Sequence, residues 1–295
     1  MEGRAANKTW AYGMCVLLQS ILYGVGNPLS KFAFESLPAA WCLAVRFTLA
    51  FLCFSLLFGK RAFRQLKAAR PGDYLPAGVC MALAYITCNL ALERTSATNV
   101  GFLMALPVIF APLLSFLVDK RKYAWPHLAV QLVVVLGLYL LCANGAAFRL
   151  GAGDLLALCT ALCIAGGLVF GERALKTLDA AVVSTVQLGV TAALSLALAF
   201  LTGEASALGR AAPAAWAIVA YLAVGCSCVG YMLQNTALLR LDSRAVSLLQ
   251  CTQPVLTALC AYFMLGERLR PSGLLGAAII LACILAENTL PTLRR

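Results

Sequence analysis

The sequence predicts an all-α integral membrane protein of ten transmembrane helices, arranged as two inverted five-helix repeats. Three observations carry that expectation. The chain is 62% hydrophobic and 12% charged, more apolar than a water-soluble domain of this size requires. Its apolar runs follow one another at roughly 20 residues each, the helix length that spans a hydrocarbon core of ~30 Å. One figure also occurs twice. A short polar junction opens an apolar helix with a proline inside, a charged break follows, and a second apolar helix begins. Ser96 lies eleven residues before Pro107 and Ser243 eleven before Pro254, an offset of 147 in a chain of 295.

The duplication divides the chain at residues 1–146 and 147–295. The expected spans are 10–32, 39–59, 75–92, 97–118, 125–142, 154–175, 180–202, 214–238, 245–264 and 272–287. Five crossings per unit is an odd number, so the second copy enters the membrane from the opposite side. Inverted pairs of this kind carry a binding site near the midplane and serve alternating access.

Arg4 and Lys8 precede the first run, which is long, contains polar residues and lacks a clear small-residue cleavage site. It is expected to be a retained span, not a secretory signal. With the N-terminus in the cytoplasm, sixteen of the 23 Lys and Arg fall on inside segments and six on outside ones. That bias satisfies the positive-inside rule with both termini cytoplasmic, and the net charge of +11 then needs no nucleic-acid partner. The thirteen cysteines lie mostly inside apolar helices without a C-x-x-C pair, and are expected to act as small hydrophobes.

In the first span Gln19, Tyr23 and Asn27 form one stripe at helical spacing, and Gly24, Gly26 and Pro28 are expected to interrupt the helix near its outer end. Polar groups in a lipid-embedded helix face protein or a cavity. Arg46, in the second span, sits seven residues inside the boundary, roughly 10 Å deep at 1.5 Å per residue. A guanidinium at that depth marks a functional site or a water-filled cavity. It either donates to a substrate carboxylate or satisfies helix-end carbonyls; no membrane-embedded carboxylate is visible to pair with it. Its counterpart in the second repeat is Gln187.

Spans three and eight repeat one pattern at an offset of 146: Tyr85 matches Tyr231, and Asn89 matches Asn235, beside Gln234. The shared face implies either a common binding role or a common interhelical hydrogen bond. Span nine adds Gln250 and Gln253 around Pro254, whereas Asn99 is the main polar residue of span four. The cavity is therefore expected to be more polar towards the second repeat. Spans five and ten are the plainest and should face lipid, with Gly273 and Gly276 allowing close packing.

The junction Ser243-Arg244-Ala245, the proline-containing helix, the Gly266-Glu267-Arg268 break and the glycine-bearing last helix resemble the repeat of the drug/metabolite transporter superfamily, EamA-like branch. The Arg46-Phe47 pair also resembles the family pattern, and the likeness covers essentially the whole chain. The first repeat departs from it, with Asp119-Lys120-Arg121 where Gly-Glu-Arg would stand. The resemblance implies ten helices, a central cavity built mainly from the first four helices of each repeat, and movement of small metabolites, often outward, across the cytoplasmic membrane.

A Tyr, Asn and Gln lining with one buried cation suits a small neutral or zwitterionic metabolite such as an amino acid. Cationic substrates would call for a buried carboxylate, yet all twelve Asp and Glu fall at helix ends or in loops. The expected protein is a secondary, non-ATP transporter working by alternating access, without cofactor or metal, with a small-molecule substrate and the bilayer as partners. Monomer and homodimer stay open. A polytopic receptor or assembly protein is the alternative. An enzyme is not expected: His127, the one histidine, has no H-E-x-x-H partner, and residues 225–230 lack G-x-S-x-G spacing.

Overall fold

The computed structural model describes residues 2–92, 94–95, 97–120, 125–142, 151–265 and 271–289. They form helices α1 (Glu2–Phe34), α2 (Ala39–Ala68), α3 (Pro71–Leu92), α4 (Ala97–Leu103), α5 (Pro107–Asp119), α6 (Trp125–Cys142), α7 (Ala152–Ala174), α8 (Ala180–Thr202), α9 (Pro213–Tyr221), α10 (Gly230–Leu238), α11 (Ser243–Gln250), α12 (Thr252–Leu265) and α13 (Pro271–Thr289). A 3-10 turn, Ala205–Arg210, precedes α9, and a π-helical segment, Leu222–Val229, joins α9 to α10. No strand occurs among the described residues. Among the described residues, seven helical stretches are long and apolar enough to cross a bilayer, and Leu128–Leu141 and Pro271–Ala286 are shorter apolar helices. Ser96 and the Gly266-Glu267-Arg268 break lie outside the described residues.

Prolines set where the helices break. Pro107 cannot donate to the Leu103 carbonyl, nor Pro254 to that of Gln250. The chain turns at those carbonyls, ending α4 at Leu103 and α11 at Gln250. Pro28 behaves differently: α1 runs unbroken through Gly24, Gly26 and Pro28, where the sequence predicts an interruption. Packing supplies the reason, because α12 lies so close that a Cβ on Gly24 would come 2.8 Å from the Leu256 Cβ. The neighbouring helix holds the turn that the missing hydrogen bond does not. α2 also outruns its expected end at 59, since Lys60, Arg61, Arg64 and Lys67 favour helix and carry it beyond the apolar stretch.

The helices pair across the two halves. α2 packs on α8, α3 on α7, and α6 on α13; α1 packs on α9, the π-helical segment and α10 on one side and on α11 and α12 on the other, while α7 also contacts α4 and α5. Lipid tails are as apolar as leucine, so helices associate by close van der Waals contact between small residues. A side chain at Gly167 would strike Met81 of α3, and Gly276 of α13 lies directly against the Gly137 carbonyl of α6. Leu132, Leu136, Leu274, Leu275 and Leu285 of this α6–α13 pair stay exposed, which gives the pair an apolar outer face.

Polar side chains tie the helix ends together. Asp154 accepts from the Gly151 amide at 2.9 Å and from Thr95 Oγ1 at 2.7 Å. At the ends of α5, α7 and α11, the Ser243 amide donates to Glu172 at 2.8 Å, Ser115 and Ser243 share a hydroxyl bond of 2.9 Å, and Arg173 pairs with Asp119 at 3.2 Å. Asp242 caps α11 by accepting from the Ala245 amide at 2.8 Å. Before α8, Asp179 is clamped to α2. Gln65 and Arg61 donate to its carboxylate, and its own amide donates back to Gln65 Oε1 at 3.0 Å.

Two expectations follow from this packing. Gly276→Leu would force α6 and α13 apart and should lower stability by ~1–3 kcal/mol, the usual cost of overpacking. Gly59→Ala, where nothing lies within 4 Å of the added carbon, should be neutral or gain up to about 1 kcal/mol; thermal unfolding in detergent compares the two. The second concerns Asp179. Hydrogen bonding from Gln65, foremost, together with the hydrogen bond and charge of Arg61, holds its carboxyl below the usual value, against an opposing desolvation. A depressed folded-state value stabilises the fold above the unfolded carboxylate value of about 4, and that contribution is lost as pH falls through the lower folded value. Asp179→Asn should cost about 1 kcal/mol or less at neutral pH for so exposed a pair. Its melting temperature should converge with that of the native protein in a titration carried below about pH 4.

Candidate functional site

Three glutamines meet in the interior. Gln19 of α1 donates to Gln234 Oε1 of α10 at 2.9 Å, and Gln250 of α11 donates to the same oxygen at 3.0 Å and to Gln19 Oε1 at 3.3 Å. Gln19 and Gln234 are buried and Gln250 is half-buried. Sequence spacing selects all three, and the fold brings them together because α1 packs against both α10 and α11. Gln250 occupies the last turn before the Pro254-induced break, so its backbone carbonyl is also released from the helical ladder.

One turn along α1 from Gln19, Tyr23 presses its hydroxyl end against Gly230, where an added Cβ would lie 3.0 Å from the phenolic oxygen. Tyr23 stands beside Gln19 and within electrostatic reach of Arg46. A further turn outward, Asn27 is exposed and donates to Thr257 Oγ1 of α12 at 3.3 Å.

Arg46 is half-buried and donates from Nε to Ser227 Oγ at 2.8 Å. Its guanidinium carbon lies 5.1 Å from the Phe47 ring centre and 5.5 Å from that of Tyr85. No carboxylate pairs with it, and its terminal nitrogens make no hydrogen bond, among the described residues. Ser227 belongs to the π-helical segment, a form that recurs at functional sites. The wider turn carries Ser227 towards α2 and Cys226 towards α1, where Cys226 Sγ and Tyr221 Oη both donate to the Leu22 carbonyl, at 3.3 and 3.1 Å.

The matched Tyr and Asn pairs separate in role. Tyr85 and Tyr231 both stand edge-on to Phe47, with ring centres at 4.7 and 6.2 Å, so Phe47 joins the two repeats' aromatic positions beneath Arg46. Asn235 is fully buried and donates to Ser184 Oγ at 2.9 Å and Gln187 Oε1 at 2.7 Å on α8. It ties α10 to α8 and does not reach Arg46. Asn89 is half-buried, its Nδ2 without a partner, and Gln253 is half-buried beside Pro254. Asn99 falls within α4, but its side chain is outside the described set, as is that of His127.

Sequence reasoning did not select Ser227, Phe47 or Thr257 as site residues. Ser227 lies one α-helical turn before Tyr231 on the polar face, which is a readable cue. The π-helical register that turns it to Arg46 has no such cue. Gln187, read from the repeat as the counterpart of Arg46, is the partner of Asn235 instead.

Comparison with known proteins bears on this arrangement. The chain is 25% identical over 268 residues to an "uncharacterized transporter" of Archaeoglobus fulgidus, covering 91% of this chain and 82% of that relative. It is 26% identical over 294 residues to "uncharacterized transporter YwfM" of Bacillus subtilis, covering 95% and 94%. A solved crystal structure superposes with a TM-score of 0.79 at 19% identity, covering 93% of this chain and 95% of the other, which supports the fold. The EamA-like transporter family matches residues 10–143 and 151–287. With a match across both halves of a helical, lipid-suited chain, the protein belongs to the EamA-like transporter family of multi-pass membrane transporters.

Proposed function

We propose that the protein is a secondary, non-ATP transporter that exports small neutral or zwitterionic metabolites, such as amino acids, by alternating access. It crosses the cytoplasmic membrane ten times as two inverted five-helix repeats, with both termini in the cytoplasm. The helix pairings support the inverted arrangement. Exchanging the halves turns α3 on α7 into α1 on α10, and α1 on α12 into α7 on α5, while α2 on α8 and α6 on α13 map onto themselves. The breaks before Pro107 and Pro254 are likewise equivalent, as expected for a site at the centre of such a pair.

Arg46 carries the functional reading. A cation whose terminal nitrogens have no partner among the described residues, steadied through Nε and set over two rings, is suited to two-point capture of a carboxylate. Neutral amides and phenols supply the rest of the lining, which favours a zwitterion or neutral solute over a cation. Chemical catalysis has no support here: the hydrogen-bond partner of Ser227 is an arginine, and a nucleophile needs a base.

The expected outcome is that purified protein in liposomes supports amino-acid counterflow. Arg46→Gln should abolish it while leaving the melting temperature near that of the native protein, and Arg46→Lys should restore little because an ammonium lacks the planar fork. Asn235→Ala should behave oppositely, losing roughly 1–3 kcal/mol of stability by stranding buried Gln187 and Ser184. Intact counterflow in Arg46→Gln would remove Arg46 from the substrate path.

A further inference from the structure

We propose that Gln234 and Gln250 form a side-chain subsite for a neutral carboxamide, so that the preferred solute is a small zwitterion bearing a primary amide. This rests on the amino-acid transport reading above and adds a class of side chain to it. Three carboxamides can close a ring in which each donates once and accepts once. Here the ring is open. Gln234 Oε1 accepts from both Gln19 and Gln250, and Gln19 Oε1 accepts from Gln250. Gln234 Nε2 is left buried with no partner, and Gln250 Oε1 accepts none of these bonds. The open edge therefore offers one donor, Gln234 Nε2, and one acceptor, Gln250 Oε1.

A primary amide matches both groups at once. A carboxylate would set its lone pairs against Gln250 Oε1, and an ammonium would set its protons against Gln234 Nε2. Each charged side chain would satisfy one group and strand or repel the other, and a buried polar group left unpaired is penalised by its full desolvation. An aliphatic side chain strands both.

The second half of the argument is an internal control. At the repeat offsets, Gln234 corresponds to Cys88 and Gln250 to Leu103, and at the offset that pairs Arg46 with Gln187, Gln19 corresponds to Thr160. Cys88 and Leu103 belong to one apolar cluster, and Thr160 is held by the Thr87 hydroxyl at 2.8 Å. The same helix junction thus carries no amide at these positions in the first half, so packing does not require three amides in the other. Tyr23 connects this edge to Arg46, lying beside Gln19 and within electrostatic reach of the guanidinium. A solute could place its carboxylate at Arg46 and its side chain at the glutamines.

The test measures ligand-induced thermal stabilisation of the full chain in detergent with L-glutamine, L-glutamate, L-methionine and L-lysine, which differ in side-chain head group at similar length. L-Glutamine should bind about tenfold or more tightly than L-methionine, as sites built to hydrogen-bond a ligand reject analogues that lack the group. Gln234→Met and Gln250→Met should each abolish that preference while keeping binding of L-methionine. Absence of stabilisation by L-glutamine, equal affinity for L-glutamine and L-methionine, or a preference that survives in both variants would overturn the subsite. Counterflow of the same four compounds in liposomes separates the two proposals. Selective binding without flux would sink transport and keep the subsite, and flux without amide preference would do the reverse.

Discussion

Every backbone carbonyl and amide in a hydrocarbon environment has to find a partner within the protein, and the rest of this structure depends on how that constraint is met. Helix meets it by default. The exceptions are few: the turns at Leu103 and Gln250, and the π-helical stretch Leu222–Val229. All lie in the central elements, where other helices cover the loosened backbone. The peripheral helices α6 and α13, which present leucines outward, run without a break. Among the described residues, irregular backbone within the apolar helices is thus confined to these central elements, and the candidate site is assembled around it.

The two halves solve the same packing problem with different chemistry. Both place a tyrosine against Phe47 and both break a helix at equivalent prolines. Only the second half carries amides where the first carries Cys88, Leu103 and Thr160. A buried amide gains little net stability over an apolar group of matching shape, and leaves a penalty wherever a partner is missing. The unpaired Nε2 of Gln234 is such a penalty. Asn89 carries the same kind of penalty in the first half, through its unpartnered Nδ2.

Much of the architecture was legible in the sequence, because lipid enforces a simple code. Apolar length marked the helices, the paired prolines marked the breaks at Leu103 and Gln250, and the stripe Gln19-Tyr23-Asn27 marked a face of which Gln19 and Tyr23 pack against α10 while Asn27 stays exposed. What was not legible came from tertiary context. Pro28 looked like a breaker, but α12 packs against Gly24 and the helix continues. Asn235 and Asn89 looked equivalent, but Gln187 and Ser184 stand only beside Asn235. Ser227 faces Arg46 through a π-helical register, and an extra residue per turn leaves no trace in a hydrophobic pattern read at 3.6.

That Arg46 needs no acidic partner can be argued from magnitudes. Placing a guanidinium within a membrane helix costs ~2.5–3.5 kcal/mol on insertion scales. Against this stand two ring contacts, worth ~0.5–2 kcal/mol each, and a charged hydrogen bond to Ser227 of ~1.5–3 kcal/mol. These contributions match the cost without involving the terminal nitrogens. A carboxylate built into the protein would occupy those nitrogens and leave nothing for a solute. Aromatic faces stabilise the cation without neutralising it, so the charge stays available, and Phe47 and Tyr85 fix where it points. For the carboxylate capture proposed above, rings and a hydroxyl leave the terminal nitrogens open where a permanent salt bridge would not.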